Sequence, residues 1–181
     1  MLRQSCSKKG CMHNLKHKKI VTIDSLQKEI RQIHDMRQFG LHTRLGFTNG
    51  CYDLFHAGHA SLLNCAKESL GAGAKLIVGV NSDSSVRGNK GDSRPIIPHK
   101  QRAYMVACHS AVDYVFVFSE KTVGKYLKMI RPDIWFKGGD YEKSPSLNAY
   151  ESNIAKKMNI HLTFLPLLDN VSSTNIINSI K

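Results

Sequence analysis

The chain has 181 residues, of which 41% are hydrophobic and 22% are charged, values typical of one globular domain with a hydrophobic core. Its longest apolar runs, residues 76–80 and 114–118, are too short to span a bilayer, and the first residues lack the apolar segment of a secretory signal. We therefore predict a cytoplasmic protein. The formal net charge of +12 favours anionic partners, such as nucleic acid, a membrane surface or small phosphorylated molecules, and says nothing about the fold.

A basic segment precedes the first predicted helix. Residues 1–20 contain six lysine and arginine residues and no aspartate or glutamate. Terminal segments of this composition are usually solvated and mobile. We predict a basic, flexible arm over residues 1–20 and a single domain over residues 21–181.

Strand and helix patterns alternate through the rest of the chain. Apolar runs predict five strands, the fourth running on into a loop, at 44–50, 75–83, 113–120, 133–140 and 161–168. Helical spacing and capping residues predict helices at 22–38, 57–70, 99–110, 122–130, 146–158 and 172–180. The polar, glycine-containing stretch 84–98 is predicted as a loop.

This alternation predicts the fold class. Strands that alternate with helices form βαβ units, and these build a Rossmann-like α/β fold with a doubly wound, five-stranded parallel sheet and helices on both faces. In such sheets ligands bind beyond the carboxyl ends of the strands. Residues that directly follow a strand are therefore the first candidates for a functional site.

The stretch 48–63 follows the first predicted strand and contains two histidines that flank a glycine. His56 and His59 are three residues apart at the start of a predicted helix, so they lie on one face. The free N–H groups and the positive dipole of a helix start favour an anion, and Gly58 allows close backbone approach. A single buried histidine is usually a satisfied core residue, but two histidines around a glycine at this turn favour a phosphate site.

The sequence "HAGH" at 56–59 resembles the HxGH signature of the nucleotidylyltransferase superfamily, whose fold is Rossmann-like. Together with segments 78–96, 101–106, 130–141 and 172–177, it resembles the adenylyltransferase domain of the bacterial bifunctional heptose-phosphate kinases and heptose-1-phosphate adenylyltransferases. The likeness extends from about residue 20 to the end of the chain. Because 181 residues leave no room for a kinase domain, we expect the transferase alone.

The resemblance implies a reaction and its requirements. AMP would pass from ATP to a sugar 1-phosphate of the D-glycero-D-manno-heptose type, with release of pyrophosphate, for the synthesis of ADP-heptose and the lipopolysaccharide core. The attacking phosphate oxygen is already ionised, so no general base is needed, and catalysis rests on positioning and charge neutralisation. The implied cofactor is Mg²⁺, bound together with ATP, and the implied assembly is a homodimer.

The resemblance also implies roles for individual residues. The catalytic residues would be His56, His59 and Lys90. The nucleotide-binding residues would be Phe47, Thr48, Asn49, Gly50, Gly58, Arg102, Lys137, Gly138, Ser173 and Thr174. The substrate-binding residues would be Asp53, Arg94, Asp140 and Tyr141, with Asp53 also the ligand of Mg²⁺.

Several of these residues have ordinary structural alternatives. Asp53 is also suited to an Asx turn or a helix cap, and Ser173 and Thr174 are common at helix starts. Lys90 considered alone is typical of a solvated loop, and Arg102 can face either the site or solvent. For Lys90, Ser173 and Thr174 only the resemblance favours the functional interpretation. Asp53 is favoured also because Mg²⁺ prefers one or two carboxylates together with phosphate oxygens.

Two rival functions remain at this point. The same catalytic motifs occur in cytidylyltransferases that act on glycerol 3-phosphate or a phosphorylated amino alcohol. These residues do not indicate which base the nucleotide carries. A basic nucleic-acid-binding module would suit the charge, but no helix-turn-helix, RNP-type or zinc-finger pattern is present. We expect neither nucleic acid nor a membrane as a partner.

Overall fold

The computed structural model describes residues 15–139, 149–166, 168 and 171–180. Within them the chain forms seven helices and five strands. The strands are β1 (Leu45–Gly50), β2 (Lys75–Asn81), β3 (Tyr114–Phe118), β4 (Ile134–Gly138) and β5 (His161–Leu165). The helices are α1 (Ile23–Arg37), α2 (Ala57–Leu70), α3 (Asp83–Lys90), α4 (His99–Cys108), α5 (Gly124–Ile130), α6 (Ala149–Lys157) and α7 (Ser173–Ile180).

The five strands form one parallel sheet in the order β3-β2-β1-β4-β5. The chain starts at the central strand, builds outward through β2 and β3, and then returns to the other side of β1 with β4 and β5. The change of direction lies between β1 and β4, and the carboxyl ends of these two strands form the crevice in which such sheets bind ligands.

Helices cover both faces of the sheet and bury two separate apolar clusters. On one face α2 and α4 contribute side chains such as Leu63 and Val106. On the other face α1, α5 and α6 contribute side chains such as Leu26, Leu127 and Ile154. This two-faced burial explains why the central strands are almost continuously apolar, and it confirms the predicted fold class.

One element differs from the sequence prediction. The stretch 84–98 was predicted as a loop, but its first seven residues belong to α3, which begins at Asp83 and ends at Lys90. Ser82 caps this helix by accepting a hydrogen bond from the N–H of Ser85 at 3.2 Å, and Gly91 ends it with a φ of +87°. The single buried apolar side chain Val86 gives too weak a periodic pattern for the helix to be predicted.

The described end of the predicted arm packs against the domain. Ile20 forms a parallel β-bridge with Val115 of the edge strand β3. The N–H of Val115 donates to the carbonyl of Lys19 at 2.8 Å, and Lys19 Nζ donates to the carbonyl of His109 at 2.8 Å. Lys19 and Ile20 therefore belong with the domain, whereas residues 1–14 lie outside the described part of the chain. No helix among the described residues is long and apolar enough to cross a membrane.

Candidate active site

A cavity of about 320 Å³ opens at the carboxyl ends of β1 and β4. Thr48, Asn49 and Gly50 line it from β1, and Lys137 and Gly138 line it from β4. The first residues of α2 and α7 close it from the side. The site thus lies at the crevice that the strand order predicts.

The two histidines stand side by side at the start of α2. Their rings stack with centroids 3.8 Å apart and an angle of 21° between the planes. Nδ1 of His59 accepts a hydrogen bond from the backbone N–H of His56 at 3.4 Å. In neutral His59 the proton is therefore on Nε2, which leaves that N–H as the donor.

Both imidazoles are neutral at pH 7. Burial, and then the nearby His56 and Lys90, lower the pKa of His59 to about 3, against an opposing effect of Asp53. Burial also lowers the pKa of His56, whose Nδ1 is buried without a hydrogen-bond partner among the described residues. The pair can therefore offer a ligand hydrogen bonds but no permanent positive charge.

Gly58 leaves space that the His56 ring uses. A Cβ at this position would lie 3.1 Å from both Cε1 and Nδ1 of His56. It would also lie 3.5 Å from the carbonyl oxygen of Val171, in the turn before α7. The glycine between the two histidines therefore sets how closely α2, the His56 ring and the turn before α7 approach one another.

Three cationic side chains supply the positive charge of the cavity. Lys90, the last residue of α3, is exposed at its mouth. Arg94 follows in the next turn, with its side chain 12% exposed. Lys137 is 6% exposed, donates to Asn49 Oδ1 at 3.0 Å and lies 4.7 Å from the centre of the Trp135 ring. A cavity with these three cations favours polyanionic ligands.

The start of α7 forms the remaining wall. Ser172 caps the helix by accepting a hydrogen bond from the N–H of Asn175 at 3.0 Å. The hydroxyl of Ser173 donates to the carbonyl of Asp53 at 2.5 Å, and Thr174 also lines the cavity. Ser173 therefore ties α7 to the turn after β1, and the start of this helix, whose dipole favours an anion, lines the cavity.

The carboxylate of Asp53, the predicted magnesium ligand, is already engaged by groups of the protein. Its side chain is 1% exposed, and both oxygens accept hydrogen bonds from the backbone N–H groups of Ile96 and Ile97 at 2.9–3.1 Å. Arg94 Nε lies 2.9 Å from Oδ2. Mg²⁺ usually binds one or two carboxylates together with waters and substrate phosphates, and both oxygens of this carboxylate already accept hydrogen bonds from the backbone. Across the described residues, no group of three His, Cys, Asp or Glu side chains is placed to hold a metal ion.

Two predicted nucleotide-binding residues lie away from the cavity. Phe47 is fully buried and stacks on Phe116, with centroids 6.1 Å apart. The Arg102 side chain is also fully buried, where it donates to Asp83 Oδ1 and the Ile97 carbonyl, both at 2.8 Å, and to the Cys51 carbonyl. The structure therefore places Arg102 in a structural network, while Asp140 and Tyr141 lie outside the described residues.

A larger groove of about 650 Å³ lies at the opposite end of the sheet. It is bordered by α1 and by the first residues of β2 and β3, Lys75 and Tyr114. Exposed apolar side chains such as Met36 and Phe39 line it. Among its described lining residues only Lys75 is a lysine or arginine, so this groove does not match a triphosphate.

The family follows from a comparison with known sequences. The cytidylyltransferase-like family model matches residues 47–179, a span that contains the last four residues of β1, the histidine pair, the three cations and the start of α7. The chain belongs to the cytidylyltransferase-like family. It is a nucleotidyltransferase, as its sequence motifs predict.

Relatives within the family confirm the predicted resemblance to the bifunctional proteins. The bifunctional protein HldE of a Nitratiruptor species is 44% identical over 138 residues, which are 76% of this chain and 28% of that protein. The bifunctional protein HldE of Helicobacter pylori is 45% identical over 128 residues, which are 71% of this chain and 25% of that protein. The chain thus spans about a quarter of the length of these relatives.

A solved structure shares the fold. The lipopolysaccharide core biosynthesis protein from Thermoplasma volcanium GSS1 superposes with a TM-score of 0.54 and 24% identity, covering 70% of this chain and 98% of that one. The likeness supports the α/β fold of the chain.

Most of the predicted site residues meet at this cavity. Of those within the described residues, all except Phe47 and Arg102 line it. The sequence analysis missed the further lining residues Cys51, Tyr52, Leu62, Leu168, Val171 and Ser172. Leu62 could have been found, since it follows His59 by three residues on one helix face. Tyr52 could not, because its place depends on a turn with a φ of +52°.

Proposed function

We propose that the chain transfers AMP from ATP to a sugar 1-phosphate of the heptose type and releases pyrophosphate. The product would be an ADP-sugar for lipopolysaccharide-core synthesis. The proposal extends the shown family in two respects, the nucleotide and the acceptor. The likeness to HldE proteins over most of the described domain supports both.

The reaction needs no proton acceptor from the protein. An oxygen of the acceptor phosphate forms a bond to the α-phosphorus of ATP while the bond from that phosphorus to the bridging oxygen breaks. Pyrophosphate leaves with the bonding electrons. Because the attacking oxygen is already ionised, the protein's task is to align two anionic substrates and to stabilise charge on the leaving group.

The observation that carries the proposal is the meeting of two neutral histidines with three cations at one cavity. The neutral imidazoles of His56 and His59 donate hydrogen bonds without the cost of a buried charge. Lys90, Arg94 and Lys137 neutralise the phosphates of two substrates. Asp53 offsets part of the charge of Arg94, and the positive charge that remains suits a triphosphate beside a sugar phosphate.

The test is pyrophosphate release from each of ATP, CTP, GTP and UTP with heptose 1-phosphate or glycerol 3-phosphate. We expect release with ATP and the heptose phosphate. His56→Ala should lower kcat by at least about 100-fold, the usual cost of losing one donor to a developing negative charge. His161→Ala is the matched control, since His161 is exposed at the amino end of β5 and should keep the wild-type rate.

The other outcomes of this assay decide between the alternatives. Release only with CTP and glycerol 3-phosphate would keep the mechanism and replace both substrates. Equal rates for wild type and His56→Ala would contradict the assigned site. The predicted homodimer and the cytoplasmic location remain predictions.

A further inference from the structure

The carboxylate of Asp53 holds a segment of chain that has no other regular support. Residues 91–98 connect α3 to α4 without helix or strand. Within this connection the N–H of Ile97 donates to Asp53 Oδ1 at 2.9 Å, and the N–H of Ile96 donates to Oδ2 at 2.9 Å and to Oδ1 at 3.1 Å. Backbone N–H groups that neither ladder nor helix can satisfy thus find their acceptor in one buried side chain.

The same carboxylate also fixes the neighbouring arginine. Arg94 Nε lies 2.9 Å from Asp53 Oδ2 in an ion pair whose angle is not that of a hydrogen bond, and the two side chains are 12% and 1% exposed. Because the contact uses Nε, the outer edge of the guanidinium keeps most of its N–H donors, and this is the edge that binds phosphate in a bidentate manner. Arg94 lines the cavity, so the pairing determines how this edge is presented to a ligand.

Arg102 also forms hydrogen bonds with this segment. Its Nε donates to the carbonyl of Ile97 at 2.8 Å, and its guanidinium also donates to the carbonyl of Cys51. Asp53 and Arg102 thereby connect the turn after β1 to the 94–97 segment through two independent sets of hydrogen bonds. Asp53 is the member of this clamp that reaches the cavity.

We propose that Asp53 is a positioning residue that aims Arg94 at a substrate phosphate, and that it does not bind metal. The inference rests on the proposed transferase function. The phosphate belongs either to the nucleotide or to the acceptor, and the chemistry of recognition is the same for both. The carboxylate acts by fixing the 94–97 segment and the Arg94 side chain. A change at Asp53 therefore affects turnover only because it changes the position of Arg94.

The first test is a double-mutant cycle with Asp53→Asn and Arg94→Gln. Asparagine keeps the size of the side chain and one oxygen acceptor, but it loses the charge that pairs with Arg94. We expect Asp53→Asn to raise the KM of one phosphorylated substrate about tenfold or more. This is the cost of losing a charge-assisted hydrogen bond from Arg94 to the substrate phosphate. The substrate whose KM rises identifies the phosphate. In the Arg94→Gln background the same change should cost about twofold or less.

Magnesium dependence separates positioning from metal binding. The free Mg²⁺ concentration at half-maximal rate should be the same in wild type and Asp53→Asn. A large shift to higher Mg²⁺ that persists in the Arg94→Gln background would identify a metal ligand and overturn the proposal. Asp92→Asn, an exposed carboxylate in the same connection, is the control and should match wild type in every parameter.

Amide hydrogen exchange tests the clamp without any substrate. Exchange at Ile96 and Ile97 should be faster in Asp53→Asn than in wild type, and unchanged in Asp92→Asn. Unchanged exchange at both amides would overturn the proposed clamp even if turnover fell. An inactive wild type with the expected exchange would instead contradict the proposed function alone.

Discussion

Asn49 Oδ1 accepts a hydrogen bond from Lys137 Nζ at 3.0 Å, across the ends of β1 and β4. The same oxygen accepts from Trp135 Nε1 at 3.3 Å. Lysine and tryptophan are donors only, so the amide of Asn49 must present its oxygen to β4. Asn49 therefore fixes a buried lysine at the point where the direction of the sheet changes.

Replacement of Asn49 by leucine should weaken both the fold and the site. The change keeps the approximate size of the side chain but removes an acceptor from Lys137, which is 6% exposed. Hydrogen bonds to charged groups contribute about 1.5–3 kcal/mol, so we expect a loss of about 2 kcal/mol in the free energy of unfolding in urea. We also expect kcat/KM to fall about tenfold or more. Asn64→Leu on the exposed face of α2 should change stability by less than about 0.5 kcal/mol, and equal losses for both variants would contradict the assigned contact.

Gly58→Ala should slow catalysis while leaving the fold largely intact. The new Cβ would lie 3.1 Å from the His56 ring, so the ring must move by a few tenths of an ångström. Small misplacements of catalytic groups are costly, and we expect kcat to fall about tenfold. The unfolding temperature should change little, because the higher helix propensity of alanine, up to about 1 kcal/mol, offsets the cost of moving the ring.

The control for this glycine is in α3. A Cβ at Gly88 meets nothing within 4 Å, so Gly88→Ala gains helix propensity without a clash. It should keep the wild-type kcat and raise the unfolding temperature slightly. An unchanged kcat in Gly58→Ala would show that the position of the His56 ring does not limit the reaction.

The fold could be predicted because its signals are local and repeated. Apolar runs such as 75–80 and the helical spacing of Leu26 and Ile30 identify strands and helices independently of their partners. The family motifs then identified most of the cavity. The order of the strands was not predicted, because it depends on pairing between segments distant in sequence.

Two charged side chains with predicted roles in ligand binding have partners within the protein that the sequence did not predict. Arg102 was predicted to bind the nucleotide, although it lies four residues before the buried Val106, on the apolar face of α4. Asp53 was predicted to bind magnesium, but its partners are backbone N–H groups 43 and 44 residues away. Every residue except proline has a backbone N–H group, so the sequence does not show which N–H groups a carboxylate binds. The sequence alone therefore could not distinguish a carboxylate that holds a backbone segment from one that binds a metal ion.

Arg102→Met should destabilise the protein without a specific effect on substrate binding. The buried guanidinium joins Asp83, the Ile97 carbonyl and the Cys51 carbonyl, and methionine leaves all three without this donor. Removal of one partner of a buried ion pair typically costs about 3–5 kcal/mol. Because Asp83 is partly exposed, we expect a loss of about 3 kcal/mol. Urea denaturation measures this loss.

The Asp83 carboxylate offers a second measurement for the Arg102 network. Burial alone would raise the pKa of Asp83, but hydrogen bonds from Arg102 and His99 outweigh this effect and lower it. In Arg102→Met the pKa of Asp83 should therefore rise, as carbon-detected NMR titration would show. Arg87→Met on the exposed side of α3 should leave stability and the Asp83 titration unchanged. A stable Arg102→Met variant that fails to bind ATP would restore the nucleotide-binding role.

His59 should make the fold less stable as the pH falls below about 6.5. Its pKa in the folded protein is about 3, whereas an unfolded histidine has a pKa near 6.5. Between these two pKa values the unfolded chain binds a proton that the folded chain does not. The free energy of unfolding is therefore unaffected by His59 above about pH 6.5 and decreases as the pH falls towards 3. For one proton the slope is at most about 1.4 kcal/mol per pH unit.

His59→Gln removes the titrating group but keeps an acceptor for the His56 N–H, as in a capping box. Urea denaturation at pH 7 and pH 5 should show a smaller loss of stability for His59→Gln than for wild type, with His161→Gln matching wild type. Parallel losses in all three proteins would mean that folded His59 takes up its proton as readily as the unfolded chain does, and that the imidazole pair is not held neutral by burial.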